Sequence, residues 1–165
     1  MIATATSFYC IVPSPIGNLL LTSNGEALTG LHMDPDGGFV IDPDWDEDRS
    51  ILAPAIEQLA DYFAGERRTF NLKMELEGTA FQKQVWEELQ RIPYGQTISY
   101  QELARRVGNP NASRAVGSAN GKNPVAVIVP CHRVIATGGT LGGYGGGLAR
   151  KEWLLNLETQ NRSQR

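Results

Sequence analysis

The sequence predicts an α+β protein of two units, a small α/β unit followed by a mainly helical one. Apolar residues fall in short strand-like stretches around one helix up to residue 78, whereas they follow the helical period beyond it. The charge changes at the same place. Residues 1–78 hold four basic and thirteen acidic residues, whereas residues 79–165 hold eleven basic and five acidic ones. We therefore expect one domain at 1–78 and a second, basic domain at 79–165.

The first unit opens with three short strands. Strand patterns cover residues 8–12, 19–22 and 27–33. The segment Pro13-Ser14-Pro15 separates the first two patterns. Asn24-Gly25, a pair typical of tight turns, separates the last two and predicts a β-hairpin.

A helix and a further strand complete the first unit. Ser50 is a candidate N-cap for the helix, and Gly65 is a candidate stop signal. The apolar face between them consists of Leu52, Ile56, Leu59 and Phe63. Residues 70–76 then alternate apolar and polar side chains, which predicts a half-buried strand.

The second unit contains a pair of short helices after a longer one. Thr79 is a candidate cap for the longer helix. Ser99 and Glu102 have the spacing of a capping box at the start of a helix that ends at Gly108. Asn109-Pro110 can begin the next helix, since proline is favoured in the first turn. The pair is typical of a helix-turn-helix, although ordinary helical hairpins give the same pattern.

Residues 112–119, the second helix of the pair, carry small side chains and one large cation, Arg114. This helix has too few long polar side chains to read base edges in the major groove. It suits a binder that fits a groove by shape and presents one long side chain while a nucleotide leaves the base stack. The alternative is a small-residue face packed against a neighbouring helix.

The segment Val129-Pro130-Cys131-His132-Arg133-Val134 places a thiol beside a base and a cation. Both neighbours are of the kind that lowers the pKa of a cysteine. The apolar run at 125–129 predicts a strand that ends at Pro130, since proline cannot donate to a sheet. Seven glycines at 138–147 allow the backbone to approach a ligand closely. The alternative is an inert core cysteine.

Composition excludes several classes of protein. Hydrophobic residues make up 41% and charged residues 20%, which is typical of a globular chain. No apolar run is long enough to cross a bilayer, and the N-terminus has no signal-peptide pattern, so we expect a soluble, cytoplasmic protein. A zinc site from Cys10, His32, Cys131 and His132 lacks the usual ligand spacing. We expect no metal and no cofactor.

Beyond residue 80 the motifs resemble those of the O6-alkylguanine-DNA alkyltransferases. The matching segments are 113–117, 123–134, 143–148 and 151–155, within a similarity from about Phe81 to Glu158. The first unit looks like the ribonuclease-H-like N-terminal domain of this family. The resemblance implies a winged helix-turn-helix domain that binds the DNA minor groove and flips the damaged guanine. It also implies irreversible, single-turnover transfer of the alkyl group to Cys131.

The resemblance implies a role for each matching residue. Cys131 is the nucleophile, and His132 and Glu158 are its partners. Asn123 is a hinge near the thiol. Tyr100 lies beside the target phosphate and is the candidate proton donor to the purine. The implied DNA-binding set is Tyr100, Ser113, Arg114, Ala115, Gly117, Lys122 and Arg133, of which Arg114 replaces the flipped base. The implied substrate-binding set is Trp86, Val134, Tyr144 and Gly145. Gly145 replaces a serine of some relatives, so its backbone takes over the hydrogen bond to the guanine.

The partner implied is double-stranded DNA that contains O6-alkylguanine. Whether O4-alkylthymine also reacts, and whether copies assemble cooperatively on DNA, stays open; we expect a monomer that does not bind membranes. From the residues alone, we expect His132 to reach Cys131 through a bridging water, because adjacent strand residues point to opposite faces. Glu158 then orients the imidazole. Two other functions are weaker. A DNA-binding sensor needs no nucleophile, and a cysteine hydrolase needs neither the basic helix pair nor Arg114.

Overall fold

The structure is a computed structural model that describes residues 7–35 and 37–161. The chain divides into two compact units between Leu76 and Glu77. Helices and strands are both present, so the predicted α+β class is confirmed. Within the described ranges, no helix is both long enough and apolar enough to span a bilayer.

The first unit is built on a four-stranded sheet in the order β3-β2-β1-β4. β1 (Phe8–Val12), β2 (Leu19–Ser23) and β3 (Leu28–Met33) are antiparallel, which confirms the three predicted strands and their hairpin. Every residue of β2 is buried, because this strand has neighbours on both sides. β4 (Asp46–Glu47) was not predicted; it pairs parallel with β1 from within the acidic loop.

One helix, α1 (Arg49–Phe63), packs on this sheet. Asp48 is its N-cap, so the prediction of Ser50 is wrong by two residues. The Asp48 carboxylate accepts hydrogen bonds from the backbone N–H groups of Ser50 and Ile51 at 2.9 and 3.2 Å. A carboxylate also meets the positive end of the helix dipole, which favours it at this position. The helix ends before Gly65 as predicted, and this glycine has a φ of 78°.

The predicted strand at 70–76 is wrong. Only Met74 forms a β-bridge, to Leu28. Nearby, the side-chain amide of Gln58 in α1 accepts from the backbone N–H of Asn71 at 2.8 Å and donates to its carbonyl at 3.0 Å. A helix side chain therefore satisfies backbone groups that a neighbouring strand would otherwise need to pair.

The second unit begins with α2 (Ala80–Leu89). Thr79 caps it as predicted, because its hydroxyl accepts from the backbone N–H of Gln82 at 3.1 Å. The Gln82 side chain accepts in return from the backbone N–H of Thr79 at 2.9 Å, which completes a capping box. The buried face of α2 consists of Val85, Trp86 and Leu89.

Two short helices follow, α3 (Tyr100–Arg106) and α4 (Ser113–Gly121), and they confirm the predicted helix pair. Ser99 caps α3 by accepting from the backbone N–H of Glu102 at 3.0 Å. The second half of the predicted capping box is wrong, because the Glu102 carboxylate instead pairs with the two arginines at the end of α3. α4 begins three residues later than Pro110, since residues 109–112 form a separate turn.

A two-stranded parallel sheet and a long helix complete the second unit. β5 (Ile98–Ser99) pairs with β6 (Val134–Ile135), which directly follows the cysteine motif. α5 (Leu148–Asn161) then turns one face inward. The buried residues of that face are Lys151, Leu154 and Glu158.

The apolar run at 125–129 is not a strand, so that prediction is wrong. It forms tight buried turns, in which the N–H of Val129 donates to the carbonyl of Val125 at 3.0 Å. Val127 has a φ of 71°, a left-handed conformation that β-branched residues rarely adopt. The run is apolar because it is buried, and buried turns are lined by apolar residues just as buried strands are.

Candidate active site and nucleic-acid interface

Cys131 is the first residue of a short 3₁₀ helix, Cys131–Arg133, at the end of the buried turns. Only 6% of the cysteine is exposed. The bend expected after Pro130 is therefore present, but it holds the thiol just beneath the surface. The cysteine is therefore largely shielded from solvent.

Two asparagines at the end of α4 form hydrogen bonds with residues 125–131, the loop that leads to Cys131. Asn123 donates from Nδ2 to the carbonyl of Val129 at 2.7 Å, and its Oδ1 accepts from the N–H of Val125 at 3.0 Å. Asn120, on α4 itself, donates to the carbonyl of Cys131 at 3.3 Å and is buried. Asn123 thus lies where the resemblance implied. Asn120 was missed, although a polar residue on the same helix face as Val116 was a signal for it.

The thiol is not preactivated in the free protein. Burial raises the pKa of Cys131, and polar contacts with Asn123 and Tyr144 and the charge of Lys151 offset only part of that effect. The expectation that His132 and Arg133 lower this pKa is therefore wrong. At neutral pH the sulfur carries its proton, so the reaction needs a base that removes it.

His132 is the base nearest in sequence, and Glu158 holds it. His132 Nε2 lies 2.7 Å from Glu158 Oε2, and both side chains are buried. Burial raises the pKa of Glu158, but His132 and Arg133 outweigh this and hold it well below its ordinary value. Because Glu158 is a carboxylate, Nε2–H must be the donor. Nδ1 is then the basic atom, and it is buried without a hydrogen-bond partner among the described residues.

Arg133 does not lie on the DNA-binding surface, so that prediction is wrong. It is 6% exposed, and its Nε and Nη2 donate to Glu158 at 2.8 and 3.0 Å. Its Nη1 donates to the carbonyl of Ile92 at 2.7 Å. All three nitrogens are engaged inside the unit, since a buried guanidinium must be paired.

Lys151 was missed as a site residue. Its side chain is fully buried, and Nζ donates to the carbonyls of Val134 at 2.6 Å and Gly143 at 3.1 Å, and also to that of Leu141. One ammonium group therefore fastens the glycine-rich loop to β6. The available signal was helical spacing, because Lys151 lies seven residues before Glu158 on the same face of α5.

One tyrosine, Tyr100, contacts this loop, and another, Tyr144, lies within it. Tyr100, the first residue of α3, donates from its hydroxyl to the carbonyl of Gly143 at 3.4 Å. Burial and the neighbouring Cys131 raise the pKa of Tyr100, so the hydroxyl keeps its proton at neutral pH. The Tyr144 hydroxyl is buried beside the thiol and has no hydrogen-bond partner of regular geometry among the described residues. Burial raises the Tyr144 pKa well above the usual value. Gly145 is exposed next to it.

The outer face of α4 carries most of the residues predicted to bind nucleic acid. Arg114 and Ala115 are exposed in the first turn, and Lys122 is exposed just after the helix. Ser113 and Gly117 are partly exposed. A methyl group at Gly117 would lie 3.7 Å from the Tyr100 ring, so this helix and the tyrosine are in close proximity. Small side chains thus leave Arg114 as the prominent group of the face.

Two of the residues predicted to contact the substrate are buried in this structure, so their role in binding stays a prediction. Trp86 is 2% exposed, and its Nε1 donates to the carbonyl of Ala119 at 2.8 Å, so it packs α2 against α4. Val134 is fully buried in β6. Both residues pack in the interior of the second unit. Among the described residues, no group of three His, Cys, Asp or Glu side chains could hold a metal ion.

Comparison with known proteins identifies the family. The family model of the 6-O-methylguanine DNA methyltransferase ribonuclease-like domain matches residues 7–76, and that of the DNA binding domain matches residues 80–160. A methylated-DNA–protein-cysteine methyltransferase from Mycolicibacterium paratuberculosis is 50% identical over 93% of each chain. One from Methanosarcina acetivorans is 49% identical over 92% of this chain and 97% of its own.

Solved structures agree. The crystal structure of Mycobacterium tuberculosis OGT in complex with DNA matches with a TM-score of 0.88 and 48% identity, over 93% of this chain and 94% of that one. The resemblance stated from the motifs and the two-domain fold that it implied are thereby confirmed. The chain belongs to the 6-O-methylguanine DNA methyltransferase family.

Proposed function

We propose that this protein repairs DNA by transferring the alkyl group of O6-alkylguanine in a duplex to its own Cys131, once per molecule. One observation carries the proposal: Cys131 directly precedes a buried imidazole whose Nε2–H is held by Glu158 and whose Nδ1 is left as an acceptor. The relatives described above carry names that state the same reaction. The DNA in the mycobacterial complex supports a DNA duplex as the partner.

The chemistry balances with these residues. The sulfur attacks the alkyl carbon, the bond from that carbon to O6 breaks, and its electron pair passes to the purine. The thiol proton goes to His132 Nδ1, through a water where the two atoms are too far apart. The purine takes a proton from the Tyr100 hydroxyl; the phenolate then recovers a proton from solvent and the His132 imidazolium releases one, so the protons balance. The net result is a thioether and an unmodified guanine, and a thioether is not a state that cellular reductants reverse.

The face of α4 suits the delivery of the base. Its small side chains let it approach the minor groove, and the exposed Arg114 fills the place of the flipped guanine. Ser113, Ala115, Gly117 and Lys122 then contact the backbone around it. Tyr144 and Gly145 line the pocket for the extruded base, where glycine leaves the backbone N–H as the donor.

The wider setting is part of the proposal. Cys10 and Cys131 are both free thiols, and a reactive thiol needs the reducing conditions of the cytoplasm. We expect domains at 1–78 and 79–165, a monomer in solution and no cofactor, since displacement at carbon needs none. Activity on O4-alkylthymine and cooperative assembly on DNA are separate questions.

The test is the intact mass of the protein after incubation with a duplex that contains O6-methylguanine. We expect one methyl group in place of one hydrogen, located on the peptide that contains Cys131. Cys131→Ser should gain nothing, whereas Cys10→Ser, which removes the other thiol, should gain the methyl group as wild type does. An unchanged wild-type mass would contradict the proposal.

A further inference from the structure

One buried carboxylate in the second unit, that of Glu158, accepts hydrogen bonds from two side chains and one backbone N–H. Glu158 Oε1 accepts from Arg133 Nε at 2.8 Å and from the backbone N–H of Gly95 at 3.3 Å. Glu158 Oε2 accepts from His132 Nε2 at 2.7 Å and from Arg133 Nη2 at 3.0 Å. The imidazole therefore shares its anchoring oxygen with a guanidinium that also occupies the other oxygen.

This sharing decides the charge of the cluster. Glu158 and Arg133 neutralise each other, so the trio is neutral when His132 is neutral and carries one positive charge when His132 is protonated. All three residues are at most 6% exposed, and an uncompensated charge at such depth is costly. A cluster of histidine and carboxylate without the arginine would have the opposite preference, because protonation of the imidazole would then complete the ion pair.

We propose that Arg133 is a positioning residue for His132. By binding both oxygens of the Glu158 carboxylate, it weakens the attraction of that carboxylate for a protonated His132, and the imidazole therefore stays neutral and able to accept a proton. The inference rests on the proposed function for its consequence, since a base for the Cys131 thiol must be unprotonated before the reaction. Arg133 itself touches neither the substrate nor the sulfur in this account.

The other charged groups around the imidazole agree with this direction. Burial lowers the pKa of His132 and outweighs the opposing effect of Glu158, and the positive charges of Arg133 and Lys151 lower it further. Cys131, which directly precedes the histidine, keeps its proton because burial raises its pKa. The two cations thus act together on the histidine, and Arg133 is the one that binds its carboxylate directly.

The chain offers a clean test, because it contains only two histidines. His32 lies in β3 of the first unit and serves as an internal reference. Proton NMR of the full chain follows both imidazole rings against pH. In wild type we expect His132 to stay neutral at pH 7 and below. In Arg133→Met, which keeps an unbranched stem and removes the charge, we expect the midpoint of His132 to rise by roughly 1–3 pH units while His32 does not change.

The rate of methyl transfer should move in the same direction. In Arg133→Met the acidic limb of the pH–rate profile should shift upward with the His132 midpoint, and the rate should recover as the pH rises. Arg133→Lys, which keeps the positive charge, should leave the limb close to its wild-type position.

Two results would overturn the proposal. One is a wild-type His132 that is already protonated at pH 7, a measurement that does not depend on whether any variant folds. The other is a folded Arg133→Met in which the His132 midpoint does not move and the rate falls equally at every pH. The titration needs no substrate, so a failure of methyl transfer would count against the proposed function and not against this role of Arg133.

Discussion

At the scale of single residues, the site contains several buried charges, each held by an ion pair or by hydrogen bonds. Arg133, Glu158 and Lys151 are charged side chains of the kind that proteins almost never bury without partners. Each has its partners here: Arg133 shares the Glu158 carboxylate with the neutral His132, and the lysine binds three carbonyls. Removal of Arg133 or Glu158 therefore leaves the other charge buried and unpaired, with effects on both stability and chemistry.

Glu158→Gln tests the carboxylate. The amide neither holds Nε2–H as strongly nor neutralises Arg133, so proton transfer from the thiol should slow by roughly 10²-fold or more. The melting temperature should also drop, because the guanidinium loses its counterion. DNA affinity should change little, since Glu158 is buried. Glu152→Gln, on the exposed side of the same helix, is the control. A wild-type rate in Glu158→Gln would remove the carboxylate from the mechanism.

Arg114→Ala tests the proposed replacement of the flipped base. Its loss raises the cost of extrusion, which is a few kcal/mol for a paired base, and that cost exists only in a duplex. We expect a much slower reaction with O6-methylguanine in duplex DNA and a nearly unchanged reaction with free O6-benzylguanine. Arg91→Ala, another exposed arginine of the same unit, controls for general loss of charge. Equal losses on both substrates with a lower melting temperature would favour a packing role.

At the scale of elements, the loop before α5 is shaped against Tyr100. Gly142 has a φ of 71°, and a methyl group there would lie 3.1 Å from the Tyr100 ring. Gly139 has a similar φ of 89°, but a methyl group there would meet nothing within 4 Å. The two glycines thus share a backbone requirement and differ in what a methyl group would meet, which at Gly142 is mainly the Tyr100 ring and, at 3.4 Å, the backbone nitrogen of Ala136.

Alanine substitutions separate these two effects. Gly142→Ala and Gly139→Ala should each cost about 1 kcal/mol in the free energy of unfolding, because both force an alanine into a left-handed conformation. Only Gly142→Ala should also slow methyl transfer, since it displaces the Tyr100 ring. Chemical denaturation measures the free energy of unfolding of each variant, and single-turnover kinetics measure its rate of methyl transfer. Equal rates in the two variants would mean that the position of Tyr100 does not matter to the reaction.

Elements with a clear period were predictable from the sequence. The first three strands and α1 to α4 follow from alternation, helical spacing, caps and glycine stops. The run at 125–129 could not be predicted correctly, because an apolar run looks the same in a strand and in buried turns. The strand predicted at 70–76 does not form, because the side chain of Gln58 in α1 binds the backbone N–H and carbonyl of Asn71.

In the site, the nucleophile and its motif were predictable and the roles of the cations were not. Sequence places Arg133 and Lys151 among the basic residues of a polyanion-binding half, since charged side chains are mostly exposed. Their burial depends on Glu158 and on backbone carbonyls that lie far away along the chain. Only tertiary structure brings these groups together.

At the scale of the whole molecule, the charge of the basic half should dominate affinity for DNA. Binding of the full chain to a lesion-free duplex should weaken steeply as salt is raised, because lysine and arginine contacts release condensed counterions. Arg133 and Lys151 should contribute nothing to the slope, since they are buried. In a plot of the logarithm of the binding constant against the logarithm of the salt concentration, Lys122→Ala should therefore reduce the steepness of the slope by about 1. Arg133→Lys should leave this slope unchanged. Salt-insensitive binding would count against recognition through phosphates.

The most direct test of the central claim is a count of lesions repaired per protein molecule. A fixed amount of the full chain is incubated with increasing excess of a duplex that contains O6-methylguanine, and restored guanine is measured after the reaction stops. Because Cys131 is consumed as a thioether, we predict a plateau at one lesion per chain, with the protein's mass raised by one methyl group. Continued repair beyond one equivalent would contradict the account.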